Sequence, residues 1–198
     1  FTFHQGRQIT NGSRTFYEVD FQTLKHPKEV KINGVGDDRK RFVYGKENYV
    51  YLARISLGLE NVIFHKADPK AVEVRYSWSL GPVLAFAKPY FINAYKTYGK
   101  FKVSEITKFD SEYSLDSLQI AGRAHFSHGL DQTKIYPGIN GKFNLSFEYA
   151  PYTNLVRALE VGLLVDYFPK ALPIMIKNPA ENVVVSLHIG FIFGTKWF

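Results

Sequence analysis

Polar and apolar residues alternate along much of this chain with a period of two. From Arg14 to Leu24, Tyr17, Val19 and Phe21 fall on one side of an extended backbone, and Glu18, Asp20 and Gln22 on the other. Between Asn48 and Glu60, Tyr49, Tyr51, Ala53, Ile55, Leu57 and Leu59 oppose Arg54, Ser56, Gly58 and Glu60. Val72, Val74, Tyr76, Trp78 and Leu80 then oppose Glu73, Arg75, Ser77, Ser79 and Gly81. After a long irregular middle, Ile139, Phe143, Leu145, Phe147 and Tyr149 oppose Asn140, Lys142, Asn144, Ser146 and Glu148. Leu159, Val161, Leu163, Val165 and Tyr167 oppose Glu160, Gly162 and Asp166. The last stretch sets Val183, Val185, Leu187, Ile189, Phe191 and Phe193 against Ser186, His188, Gly190 and Gly194, and Phe1 and Phe3 alternating with Thr2 and His4 read as part of one more strand.

The pattern therefore predicts seven two-faced strands, most of them longer than the five or six residues usual in soluble sheets. The connections between them alternate in length. Thr10–Ser13, Asn61–Lys70 and Ala150–Asn154 are short, whereas Lys25–Glu47 and Ala85–Thr133 are long. Short turns at one end and long loops at the other are the habit of outer-membrane barrels, whose bacterial single-chain members have even strand counts. The expectation is one domain over residues 1–198, an all-β, antiparallel, up-and-down transmembrane β-barrel of about eight strands. Its long extracellular loops fall at about 25–47 and 85–133, and an eighth strand is expected before Phe1.

Alternation alone does not say which face is out, and a soluble barrel of the lipocalin type would turn its apolar face inward. Two features favour the membrane. Gly58, Gly81, Gly162, Gly190 and Gly194 sit on the polar face, where they relieve crowding in a narrow interior. Tyr49, Tyr51, Tyr149, Tyr167 and Trp197 fall near strand ends, as interfacial girdles do.

Composition agrees. The chain has 17 Phe and 13 Tyr, no Cys and a single Met, which suits strands and removes disulfides and thiolate metal sites. No apolar run reaches the roughly 18 residues of a transmembrane helix. The chain starts at Phe1 rather than Met, so removal of an export signal peptide is expected. The net charge of +7 is spread along the chain without a nucleic-acid-binding motif, so nucleic acid is not an expected partner. Outer-membrane lipid and lipopolysaccharide phosphates account for it instead.

The segment from Val183 to Phe198 resembles the C-terminal signal strand of outer-membrane β-barrels. His188, Gly190 and Phe193 stand where that signal has a polar residue, a glycine and an aromatic. Thr195 replaces its final aromatic, while Trp197, followed by Phe198, continues the apolar face. Leu24–Val30, Phe42–Lys46, Val72–Tyr76 and Asp166–Ala171 resemble segments of a family of small Gram-negative outer-membrane barrels. No cofactor is expected. The resemblance implies location in the cell outer membrane and brings no assigned catalytic residue. It also implies a role as a non-enzymatic accessory or structural subunit of an outer-membrane assembly (β-barrel insertion) or secretion machine, in complex with other outer-membrane or periplasmic proteins.

On the inner face, Glu18, Asp20, Glu60, Glu73, Glu148, Glu160 and Asp166 meet Arg54, Arg75 and Lys142, with His188 nearby. Charges removed from bulk water must pair or stay hydrated, so a salt-bridged plug is expected rather than an ion path. The competing functional readings are a lipid A acyl hydrolase or transferase and a free-standing structural or adhesion barrel. The first needs a nucleophile and a base in contact, for which Ser186, His188 and His4 are the inward candidates. His125 and His128 are two imidazoles three residues apart, short of the four ligands of a structural zinc site. Partner recognition is placed on the long loops, at Lys28, Lys31, Arg39, Lys40 and Arg41, and at Tyr90, Phe91, Tyr95, Tyr98 and Phe101, with Phe109 and Tyr113 beyond them.

Overall fold

The structure, a computed structural model, describes residues 1–10, 12–35, 40–66, 68, 71–98, 101–109, 120–149, 155–176, 178 and 180–195, with the backbone alone at 96–98, 101 and 102. These residues form strands and no helix. In chain order the strands are β1 (Thr2–Thr10), β2 (Ser13–Leu24), β3 (Lys31–Ile32), β4 (Phe42–Val43), β5 (Asn48–Phe64), β6 (Glu73–Pro89), β7 (Phe91–Tyr98), β8 (Phe101–Lys108), β9 (Ile120–Arg123), β10 (Lys134–Glu148), β11 (Leu155–Leu172) and β12 (Glu181–Thr195).

Seven of them make one antiparallel meander in the order β1-β2-β5-β6-β10-β11-β12. Each stretch of sequence alternation falls on one of these strands, with Phe1, Val72 and Tyr149 one residue beyond the strand ends. The structure extends β5 to Phe64 and β6 to Pro89, past the ends that alternation marks. Two further sheets belong to the connections: β3 pairs with β4, and β8-β7-β9 form a three-stranded sheet. The middle of the chain is thus not the irregular loop that its lost periodicity suggested. Its strands are short, and Ile92, Ala94 and Ile120 from them are buried in a local cluster with Phe42, Tyr90 and Phe109.

The meander places the connections 11–12, 65–72 and 149–154 at one end, here the turn end, and 25–47, 90–133 and 173–180 at the other, the cap end. The sheet is strongly curled. Arg54 on β5 bonds Asp166 on β11, although β6 and β10 lie between them. In a flat sheet those strands would stand ~14 Å apart. Lys142 on β10 reaches Glu18 on β2 across the same number of strands. The edges β1 and β12 do not pair with each other, so among the described residues this sheet has seven strands and no closed barrel.

The concave face divides into two halves. Toward the cap end it carries an apolar cluster that includes Leu24, Val50, Leu52, Val83, Ala85, Tyr136, Phe168, Leu172 and Val184. Toward the turn end it carries charges and amides. The convex face is apolar and open: Phe21, Ile55, Leu57, Trp78, Leu80, Ile139, Phe143, Leu163, Val185, Leu187, Ile189 and Phe191 are all exposed. This is the reverse of a soluble barrel, in which such side chains would fill the interior.

Three inner glycines permit the close approach of neighbouring strands. A Cβ at Gly81 would stand 2.0 Å from the carbonyl oxygen of Ile55, and one at Gly162 2.0 Å from Asn144 Oδ1. Gly58 is crowded by the Phe16 ring in the same way. The crowding argument fails on β12, where Gly190 has nothing within 4 Å and Gly194 only Val156 at 3.8 Å. An edge strand has no second neighbour to press on it.

Candidate functional site

The eleven inner-face residues expected from sequence, Glu18, Asp20, Arg54, Glu60, Glu73, Arg75, Lys142, Glu148, Glu160, Asp166 and His188, all come together on the concave face. Alternation puts them there, and curvature brings them into contact. Arg54, 2% exposed, forms a two-pronged bond with Asp166 at 2.8 and 2.7 Å, and also reaches Asp20 at 2.5 Å and Gln22 at 2.9 Å. The planar guanidinium suits this bidentate role, which a lysine could not reproduce.

A second group runs across the interior from one edge of the sheet to the other. His4 on β1 faces Glu18 at 3.8 Å, and Glu18 bonds Lys142 at 2.8 Å. Lys142 lies 3.5 Å from Glu160, which bonds His188 on β12 at 3.0 Å. The third group sits nearest the turn end. Arg75 pairs with Glu60 at 3.2 Å, Glu148 at 2.8 Å and Glu73, while Arg14 bonds Glu60 at 2.8 Å and Lys66 bonds Glu148 at 3.3 Å. Arg14 and Lys66 escaped the sequence reading: Arg14 opens the alternating run in which Glu18, Asp20 and Gln22 mark the inner face, and Lys66 lies beyond the run that ends at Glu60. Their addition brings five fixed cations to seven carboxylates.

His188 is bonded to Glu160, and no serine hydroxyl among the described residues bonds to it; Ser186 shares its strand face. His125 is exposed and bonds Ser127 Oγ at 2.9 Å. Among the described residues no three His, Asp or Glu side chains cluster as metal ligands.

The cap end is a folded unit of its own. Phe42, Tyr90, Ile92, Ala94, Phe109 and Ile120 form a second buried cluster, with Tyr44, Tyr49 and Ile176 against it. Tyr90 is 1% exposed; its ring meets Tyr49 edge-on, and its hydroxyl accepts the Val43 N–H at 2.9 Å. Burial pushes the Tyr90 phenol above its ordinary range. The connection 173–180 is tied in by Ile176 N–H to the Gly45 carbonyl and by Lys28 to Asn178 at 3.1 Å. Tyr90, a sequence-expected partner residue, is therefore core, and Phe91 and Tyr95 are half-buried. The side chains of Tyr98 and Phe101, and all of Arg39, Tyr113, Trp197 and Phe198, lie outside the described residues. Tyr49 and Tyr51 face outward, but Tyr90 and Phe126 pack over them, so they do not stand free as girdle residues.

Beneath this unit lies a cleft of about 420 Å³ against the outer side of β2 and β5. Lys25, Lys31, Lys40, Arg41, Lys46 and Arg123 line it, with Glu29 the sole acid among the described residues, and Tyr49, Tyr51 and Tyr90 supply aromatic walls. Four of the expected partner residues, Lys31, Lys40, Arg41 and Tyr90, thus meet at one site, which alternation could not reveal. The chain matches no family model, no curated protein and no solved structure.

Proposed function

We propose that this chain is a non-conducting transmembrane β-barrel of a Gram-negative outer membrane, acting without enzymatic activity as an accessory subunit of a larger envelope complex. The observation that carries this reading is the reversed polarity of the sheet: charges inside, a continuous apolar wall outside. In water such a wall would be an aggregation hazard; against acyl chains it is the favoured surface.

The strand lengths support it, since β5 and β6 have 17 residues each and a tilted crossing needs roughly 9–11. So does the placement of the two long connections, 25–47 and 90–133, at one end. In a seven-strand antiparallel meander the first and last strands run in the same direction, so antiparallel closure takes one further strand between β1 and β12. Eight strands is then the smallest even count, with the turn end periplasmic and the cap end extracellular. The inner acids and bases engage one another rather than an open cavity, which favours a structural subunit over a lipid-modifying enzyme.

The test is purification from native membranes in mild detergent, with an unheated and a heated gel and identification of co-purifying proteins. A heat-dependent mobility shift and stoichiometric outer-membrane partners are expected. A chain that stays in the aqueous phase would sink the barrel, and a lone barrel without partners would sink the subunit role.

A further inference from the structure

Resting on the membrane reading above, we propose that the cleft under the cap binds the phosphorylated headgroup of a lipid whose acyl chains lie along the wall beneath it. The cleft's volume of about 420 Å³ is within the range of small-molecule sites. Its electrostatics are one-sided, with six cations against Glu29. Lys25, Lys31, Arg41 and Arg123 are exposed and make no ion pair with any described residue. Lys46 is held in place by Glu29 at 2.7 Å and by the Tyr49 ring at 4.7 Å, so part of the site is pre-oriented.

Those four exposed charges set the valence of the ligand. A phosphate monoester brings a charge of about −1.5 to −2, so Lys25, Lys31, Arg41 and Arg123 together suit two phosphates on one headgroup. The wall then decides between a lipid and a soluble anion. Thr23 lies opposite Tyr51 at the foot of the cleft, and the next outward pairs down the sheet are Phe21–Ala53, Val19–Ile55 and Tyr17–Leu57. Phe21, Ile55 and Leu57 are exposed. Six residue steps along the strand from Tyr51 to Leu57 make an apolar track of ~20 Å, longer than one leaflet's half of a hydrocarbon core ~30 Å thick. A soluble phosphorylated ligand has no use for such a track. A lipid with several headgroup phosphates uses both features at once.

The test uses the full chain in detergent, titrated with bisphosphorylated lipid A, with the same lipid stripped of its phosphates, and with inositol hexakisphosphate as a soluble probe. The double variant Lys31→Glu with Arg41→Glu alters exposed side chains, and Arg157→Glu, an exposed cation on the wall near the turn end, serves as the control. The expected result is binding of the phosphorylated lipid at least about tenfold tighter than of either other probe, weakened at least about tenfold by the double variant and not by the control, each step about 1.4 kcal/mol. Equal binding of inositol hexakisphosphate would overturn the lipid assignment in favour of a soluble anion. Binding indifferent to phosphate or to the double variant would overturn the site. The heat-dependent gel shift is recorded on the same samples. Its presence without phosphate-selective binding defeats this inference alone, and its absence from wild type defeats the membrane reading itself.

Discussion

Arg54 shows how much of this molecule rests on single side chains. It joins β2, β5 and β11 through Asp20 and Asp166, and Asp166 is wholly buried. Arg54→Met would leave two carboxylates without their cation, a loss of about 3–5 kcal/mol for a buried pair broken on one side. The expected outcome is a lower transition temperature in the heated-gel assay, with Asp166→Asn added to Arg54→Met recovering part of the loss. Glycine positions give a second residue-level test. Gly81→Ala pushes a methyl group into the Ile55 carbonyl and should impair folding, whereas Gly190→Ala meets nothing and should leave it unchanged. Equal yields of the two folded variants would contradict the packing of β6 on β5.

At the scale of the strand, the informative feature is which face is apolar. Leu187 on β12 is 83% exposed and Leu57 on β5 69%. Leu187→Arg would be close to neutral for a protein surrounded by water, but costs about 2–4 kcal/mol at the middle of a bilayer. Reversible unfolding in lipid vesicles should therefore show a clear loss for this variant, and an unchanged stability would contradict insertion. Alternation made these strands legible wherever one face is polar, as from Arg54 to Glu60 or from Asn140 to Glu148. It fails toward the cap ends, where Val50-Tyr51-Leu52-Ala53 and Val83-Leu84-Ala85-Phe86-Ala87 are apolar on both faces. There the inner face closes over a buried cluster while the outer face remains apolar, so no period of two survives. The cap strands β7 to β9 were missed for a related reason: Tyr90, Ile92 and Phe109 pack into a local aromatic core rather than onto a long amphipathic sheet.

For the whole molecule, the concave face of the sheet carries the apolar cluster toward the cap and the ion-paired groups toward the turns. Planar-bilayer recordings of the reconstituted protein should accordingly show no unitary conductance, and a steady ohmic channel would refute a filled interior. What the sequence determined by itself was local and periodic: an all-β chain, the seven long strands, which side chains share a face, and the acids and bases assigned to the inner one. Those follow from a repeat of two that each strand carries independently of its neighbours. Only the tertiary structure decided which charges meet, because Arg54 and Asp166 lie more than a hundred residues apart and touch only through the curl of the sheet. It also decided that Lys25, Lys31 and Arg41 gather with Arg123 in one cleft, since a charged site assembled from separate connections has no period for a sequence to display.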